Sequence, residues 1–193
     1  MPDTIVIQSH PPDPPAWLRS CLDSVAAWAA GNGFAHRIAG DALLDRVPAE
    51  LRARAQGRTQ VVADVGRLDW IAELLAAGWA RVIWLDADVV VFAPARLTAA
   101  LELPAAGYLF GREVWVQPAA PQRPDGRLQV RRNLHNAVLA FAPGNPVLDF
   151  YAHAARRILA RHAGPPVPQL IGPKLLTALD HMIGLDATWA VGM

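Results

Sequence analysis

Two aspartates, Asp86 and Asp88, stand inside the apolar run RVIWLDADVVVF at residues 81–92. Apart from Arg81, the rest of the run is Val, Ile, Leu, Trp, Phe or Ala, the composition of a strand buried on both faces. A buried ionised carboxylate is costly unless it is paired, hydrogen-bonded or bound to a metal, and a second one two residues away adds repulsion. Strand alternation puts both acids on one side with Ala87 between them, so one hard cation can bridge them. Two oxygen donors leave most of an octahedral shell open. That suits Mg²⁺ or Mn²⁺ shared with a substrate's phosphates better than a closed structural site. The plain alternative is a strand end with its acids turned to solvent.

The elements that must position these acids alternate along the chain. TIVIQSH at residues 4–10 is β-rich, and PPDPP forces an extended turn before a helix over residues 16–30, closed by Gly31 and Gly33. A weak strand in AHRIAG and a polar helical piece at residues 42–56 follow. Val61, Val65, Leu68, Ile71, Ala72 and Leu75 recur at helical spacing over residues 60–77, and Gly78 is a stop signal. At 100° per residue Asp64 falls inside that apolar arc, whereas Asp69 and Glu73 fall outside it. An inward Asp64 is either paired with Arg67 at i+3 or held for a ligand. After the acidic strand the pattern predicts a short helix at residues 94–101, a strand in GYLFGREVWVQ, a second in HNAVLAFAPG, a helix from Asn145 or Pro146, and a last helix at residues 173–183.

Strands separated by helices over this length predict an α/β fold with a mostly parallel central sheet flanked by helices. In such sheets ligands bind beyond the carboxyl ends of the strands. The 193 residues, 53% hydrophobic, fit one compact domain. Residues 117–133, with four Arg, three Pro and Gly126, are expected as a mobile loop within it. A net charge of +1 gives no case for nucleic acid. No stretch reaches the roughly 18 to 20 apolar residues of a membrane span, and the N-terminus lacks a signal-peptide pattern, so a cytoplasmic protein is expected. The richness in Ala, Arg, Pro and Trp resembles the coding bias of a GC-rich bacterium, and nothing functional is drawn from it. Cys21 falls in a helical stripe with Leu18, Leu22, Val25 and Trp28 and reads as a small core residue.

VIWLDADVVVF resembles the Asp-X-Asp motif of the nucleotide-sugar glycosyltransferases of the A-type, Rossmann-like fold. The longer segment ADVGRLDWIAELLAAGWARVIWLDADVVVF is similar to the Ala-Asp-x-x-Arg, helix, Gly, strand, Asp-X-Asp pattern of the Och1-like and toxin-like sugar transferases. Downstream, NAVLAFAPGNPVLDFY and IGPKLLTAL resemble that group's Asn-bearing strand, Pro-started helix and Gly-Pro-x-x-x-Thr segment. The resemblance spans roughly residues 60 to 180.

It implies a metal-dependent, retaining hexosyltransferase that moves a sugar from a nucleotide diphosphate sugar, a UDP-sugar favoured, to an unknown acceptor such as a saccharide or glycan precursor. Asp86 and Asp88 would hold Mn²⁺ or Mg²⁺, with His181 or Asp186 as candidates for a further ligand. Asp64 and Arg67 would contact the nucleotide sugar, and Arg67 would steady the leaving diphosphate. His10, at the end of the first strand, would lie near the base and ribose; its plain reading is a surface residue. Asn136 has an amide able to orient a sugar hydroxyl, or to satisfy a turn. Gly172 and Lys174 open the last helix, where backbone N–H groups and a cation can meet phosphate oxygens; a solvated lysine is the alternative. Trp84, Trp115 and Trp189 are either sugar-stacking or core residues. Two further classes are a non-catalytic sugar-nucleotide-binding protein of the same fold and a metal-dependent phosphohydrolase, the latter disfavoured because the acid pair lies mid-chain.

Overall fold

The computed structural model describes residues 2–118 and 127–191. The chain runs β1 (Thr4–Ser9), α1 (Ala16–Gly31), β2 (Ala35–Ala39), α2 (Ala42–Asp45), α3 (Ala49–Arg54), α4 (Thr59–Ala76), β3 (Arg81–Leu85), α5 (Pro94–Ala100), β4 (Tyr108–Pro118), β5 (Leu128–Phe141), α6 (Leu148–Arg161), α7 (Pro173–Ile183) and β6 (Ala187–Thr188). The sheet order is β2-β1-β3-β5-β4-β6. β1 pairs in parallel with β2 and β3, and β4 with β6, while β5 runs antiparallel to both β3 and β4. Five of the six strands therefore point one way, and β3 is central as expected.

Alternation along the strands divides the core into two layers. Ile5, Ile7, Val82 and Trp84 pack with α4, α6 and α7, whereas Val6, Ile83 and Leu85 pack with Val25, Trp28 and Ala29 of α1 and with Leu101 after α5. Leu18, Leu22, Val25 and Trp28 form the buried stripe of α1, with Cys21 half-buried at its edge. α4 is buried on most of its circumference, from Val61 to Leu74, because α2 covers the side turned away from the sheet. Gly66 permits that cover: a Cβ there would lie 2.6 Å from the Leu43 carbonyl oxygen. Asn145 starts α6 from outside, its Oδ1 accepting from the N–H of Val147 and Leu148 at 3.2 and 2.8 Å.

Three expectations change. The strand read through residue 92 ends at Leu85, and the chain turns at Ala87 and Asp88. Residues 117–118 and 128–133, expected within a mobile loop, are strand: the β4–β5 ladder continues out to the Pro118–Leu128 pair. Its ladder hydrogen bonds hold it without apolar alternation. Residues 119–126 of that expected loop lie outside the described residues. The polar helical piece at residues 42–56 is two short helices broken by Pro48, and β6, not expected, adds two residues beside β4. Among the described residues no helix is long and apolar enough to cross a membrane.

Candidate functional site

The carboxyl end of β3 is where the acids leave the sheet. Asp86 is anchored by its backbone, its N–H donating to the Ala137 carbonyl at 2.8 Å and its carbonyl accepting from Gln8 Nε2 at 3.2 Å. Gln8, fully buried in β1, accepts at Oε1 from His36 Nε2 at 3.0 Å, so a polar chain crosses three adjacent strands. Burial lowers the basicity of His36, which favours its neutral form.

The Asp86 carboxylate is held on the α4 side. Its Oδ1 accepts from Arg67 NH1 at 2.9 Å and from the Trp84 indole N–H at 2.6 Å, and the guanidinium lies 4.6 Å from the centre of the Trp84 ring. Arg67 NH1 also donates to the Asn136 carbonyl at 2.6 Å, and NH2 reaches Asp64 Oδ1 at 3.0 Å. Asn136 Nδ2 donates to the same Asp64 oxygen at 2.7 Å. Helix periodicity brings Asp64 and Arg67 to one face, and the β5 alternation turns Asn136 towards them. Asp64, Arg67 and Asn136 are 5%, 7% and 7% exposed. The i,i+3 ion pair and the convergence on Asn136 and Asp86 are both present, so the two readings of Asp64 are not exclusive.

Burial sets the electrostatics. It pushes the Asp64 carboxyl up to about 6, against the opposing pull of the Arg67 charge and the Asn136 hydrogen bond, with the Asp86 charge adding to the rise. For Arg67, burial alone would lower the guanidinium's basicity, but Asp86 and Asp64 together hold it above its ordinary value. Tyr151, buried beside the group and donating to the Ile171 carbonyl at 3.1 Å, is pushed above its ordinary range by burial and stays neutral. Gly172 closes over the far side of Asn136; a Cβ there would stand 2.6 Å from the amide oxygen, so a larger residue would push the amide off Asp64.

Asp88 is exposed, and no side-chain hydrogen bond or ion pair falls on it among the described residues. It lines a cavity of about 560 Å³ on the α1 and α5 side of the sheet, with His135 in the lining. His135 is 1% exposed, and its Nε2 lies 2.9 Å from the Val191 carbonyl. That carbonyl can only accept, so Nε2 carries the proton and Nδ1 is an acceptor, which has no partner among the described residues. Burial lowers His135, consistent with a neutral ring. The expected common face for the two acids rested on a strand running through Asp88; with the strand ending at Leu85, Asp86 turns to Arg67 and Trp84 while Asp88 borders the cavity.

The remaining expected residues are spread. His10 lies at the carboxyl end of β1, beside that of β3, its Nδ1 2.7 Å from the Pro11 carbonyl. Lys174 is exposed on the first turn of α7, two residues from the Gly172 that contacts Asn136. His181 lies at the other end of α7 and lines a different hollow, with Asn133 and Thr177. Asp186 contributes its carbonyl to β4, accepting from Phe110 N–H at 3.0 Å. Among the described residues no group of three His, Cys, Asp or Glu side chains gathers as a metal site. The donors that do fit a hard cation are the Asp86 Oδ2, on which no hydrogen bond falls among the described residues, and the Asp88 carboxylate. Sequence reasoning missed Gln8 and the indole N–H of Trp84. A glutamine inside TIVIQSH was the available signal for the first, since a buried polar side chain needs a partner.

The six-stranded mixed sheet with helices on both faces, together with its likeness to a solved structure, fits the Rossmann-like fold of the glycosyltransferase A type. A solved example is a glycosyltransferase involved in the glycosylation of the major capsid of PBCV-1: it superposes with a TM-score of 0.53 at 14% identity, over 98% of this chain and 81% of that one. No protein-family model matches the chain, and no curated protein matches it in sequence.

Proposed function

We propose that the protein is a glycosyltransferase that moves a sugar from a nucleotide diphosphate sugar to an acceptor hydroxyl. The observation that supports it is the convergence of Asp64, Arg67, Asp86 and Asn136, drawn from α4, β3 and β5, at the carboxyl end of the central strand, beside the exposed Asp88. Asp86 and Asp88 would hold Mn²⁺ or Mg²⁺, which when bound neutralises the charge that develops on a departing diphosphate. In the transfer, the acceptor oxygen forms its bond to the anomeric carbon as the bond from that carbon to the diphosphate oxygen breaks; the electron pair leaves with the diphosphate, which takes up the proton that the acceptor hydroxyl gives up. Retention of configuration and a UDP-sugar donor belong to this reading.

Arg67 is a positioning residue in it, because its NH1 and NH2 are directed to protein acceptors and its side chain is 8% exposed. It fixes Asp86, and the Trp84 indole N–H donates to the same oxygen. Asn136 is set by Asp64 and Gly172, leaving Asp64 as the member whose charge responds to conditions. His10 at the end of β1 and Lys174 at the start of α7 are assigned to the base and ribose and to the phosphates. A thermal-shift screen of UDP-, GDP-, dTDP- and CMP-sugars with and without Mn²⁺ tests the reading: one donor class should raise the melting temperature only with metal, since a ligand that binds the native state stabilises it by mass action. No shift with any sugar nucleotide would remove it.

A further inference from the structure

The reading above leaves the acceptor undefined, and the cavity beside Asp88 bears on it. Its walls are aliphatic: Val89, Val91, Leu97, Ala137, Val138 and Val191 line it, and Phe92, 87% exposed, stands at its rim. Among the described residues that line it, three side chains are polar, those of Asp88, Arg96 and His135. The residues 89–91 read in the sequence as a continued strand instead form one wall, because the chain leaves the sheet after Leu85.

We infer that this cavity holds the apolar body of the acceptor, an alcohol whose hydroxyl is carried on an alkyl chain or ring system, with that hydroxyl at Asp88. The inference rests on the proposed transferase activity for the identity of the reaction, though the cavity's chemistry is independent of it. Asp88 belongs both to the acids at the end of β3 and to the cavity wall, so a body seated in the cavity reaches the metal-holding acid. A free saccharide is a poor occupant. Each of its hydroxyls would give up water and meet an aliphatic side chain, and an unpaired polar group costs more than a neutral contact gains. An alkyl or ring body gains from the same walls by leaving water. The volume, about 560 Å³, is that of a site for a ligand of this size, and mostly apolar walls with a few placed polar groups are the usual construction of such sites. His135 lies in the wall rather than the opening: it is 1% exposed, its Nε2 is fixed by the Val191 carbonyl, and its Nδ1 is buried, so Asp88 and Arg96 are the polar groups a ligand meets.

The test compares two probes with the same sugar head, octyl β-glucoside below its micelle concentration and methyl β-glucoside, by calorimetric titration of the full chain. The octyl compound should bind at least about tenfold more tightly, with a negative heat-capacity change. Ala190→Trp, at an exposed lining position, should fill the cavity and abolish the difference, and Phe92→Ser should reduce it; both positions are exposed, so neither variant threatens the fold. Equal affinity for the two glucosides, or an octyl preference unchanged in both variants, overturns the inference. Sugar-nucleotide binding measured on the same samples separates the two ideas. Cavity-dependent octyl binding without any sugar-nucleotide binding would leave the cavity assignment standing and remove the transferase reading. The opposite result would do the reverse.

Discussion

The two sides of the β3 end are built on opposite principles. Towards α4 lies a polar group with its charges out of water: Asp64, Arg67 and Asn136 are at most 7% exposed, and nearly every contact is a protein hydrogen bond. Towards α1 and α5 lies an aliphatic cavity open to solvent, with Asp88 at its edge. The first side fixes geometry before any ligand arrives, since removing one member strands the others. The second fixes little and sorts ligands by what they bury. In the proposed transfer, the first side would hold a charged donor group by preorganised electrostatics and the second an acceptor by the hydrophobic effect.

The comparison breaks first at Arg67. Arg67→Met should lower unfolding free energy by about 3–5 kcal/mol in a denaturant melt, because it leaves Asp64 and Asp86 without their common partner in a buried setting. On the cavity side no substitution of an exposed lining residue should approach that loss. Asp64 comes next, through pH. Its folded value near 6 lies above the ordinary 3.8, so the folded chain holds an extra proton in between, and this contribution to stability is present below about pH 4 and lost as the pH rises through 6. Asp64→Asn removes that dependence. From pH 4 to pH 7 the variant should gain on the parent by up to roughly 3 kcal/mol, two pKa units and a little at about 1.4 each, read from melts across the range. A pH-independent difference would mean that Asp64 is ionised throughout.

Gly172→Ala should cost about 1–3 kcal/mol, as its Cβ forces the Asn136 amide aside, and should weaken sugar-nucleotide binding together with stability. The smallest effect on folding belongs to Asp88. Asp88→Ala should change stability by no more than about 0.5 kcal/mol, since the carboxylate is exposed, yet should abolish metal-dependent binding of the sugar nucleotide. Unfolding of this variant with binding intact would assign Asp88 a structural role.

How far this site can be read from sequence depends on how local its causes are. The inward turn of Asp64 follows from 3.6-residue periodicity, and α7 runs over the expected residues 173–183, with Pro173 at its start and Gly184 after its end. The end of β3 was not legible, because VVVF continues the apolar composition that marks a strand and only the tertiary turn puts it on a cavity wall. Nor was the outer half of β5: Arg131 and Arg132 and the exposed Val130 and Leu128 carry no buried face, and the ladder to β4 alone defines it. Gln8 and Trp84 meet Asp86 from 78 and 2 residues away, and neither spacing announces the contact. The helical pattern gives the length of α7 but not what lies at each end, which is why Lys174 falls near Gly172 and His181 beside Asn133.

The central claim is that the acids at the end of β3 serve sugar transfer, and turnover without an acceptor tests it most directly. Incubated with the sugar nucleotide that the thermal screen selects, the chain should slowly release the free sugar and the nucleoside diphosphate, water replacing the acceptor hydroxyl. Release should require Mn²⁺ or Mg²⁺ and should fall by at least about a hundredfold in Asp86→Asn and in Asp88→Asn, as transition-state charge stabilisation is lost. Metal-dependent binding with no release and no transfer across a panel of apolar alcohols and saccharides would contradict the claim and make the chain a sugar-nucleotide-binding protein of the same fold.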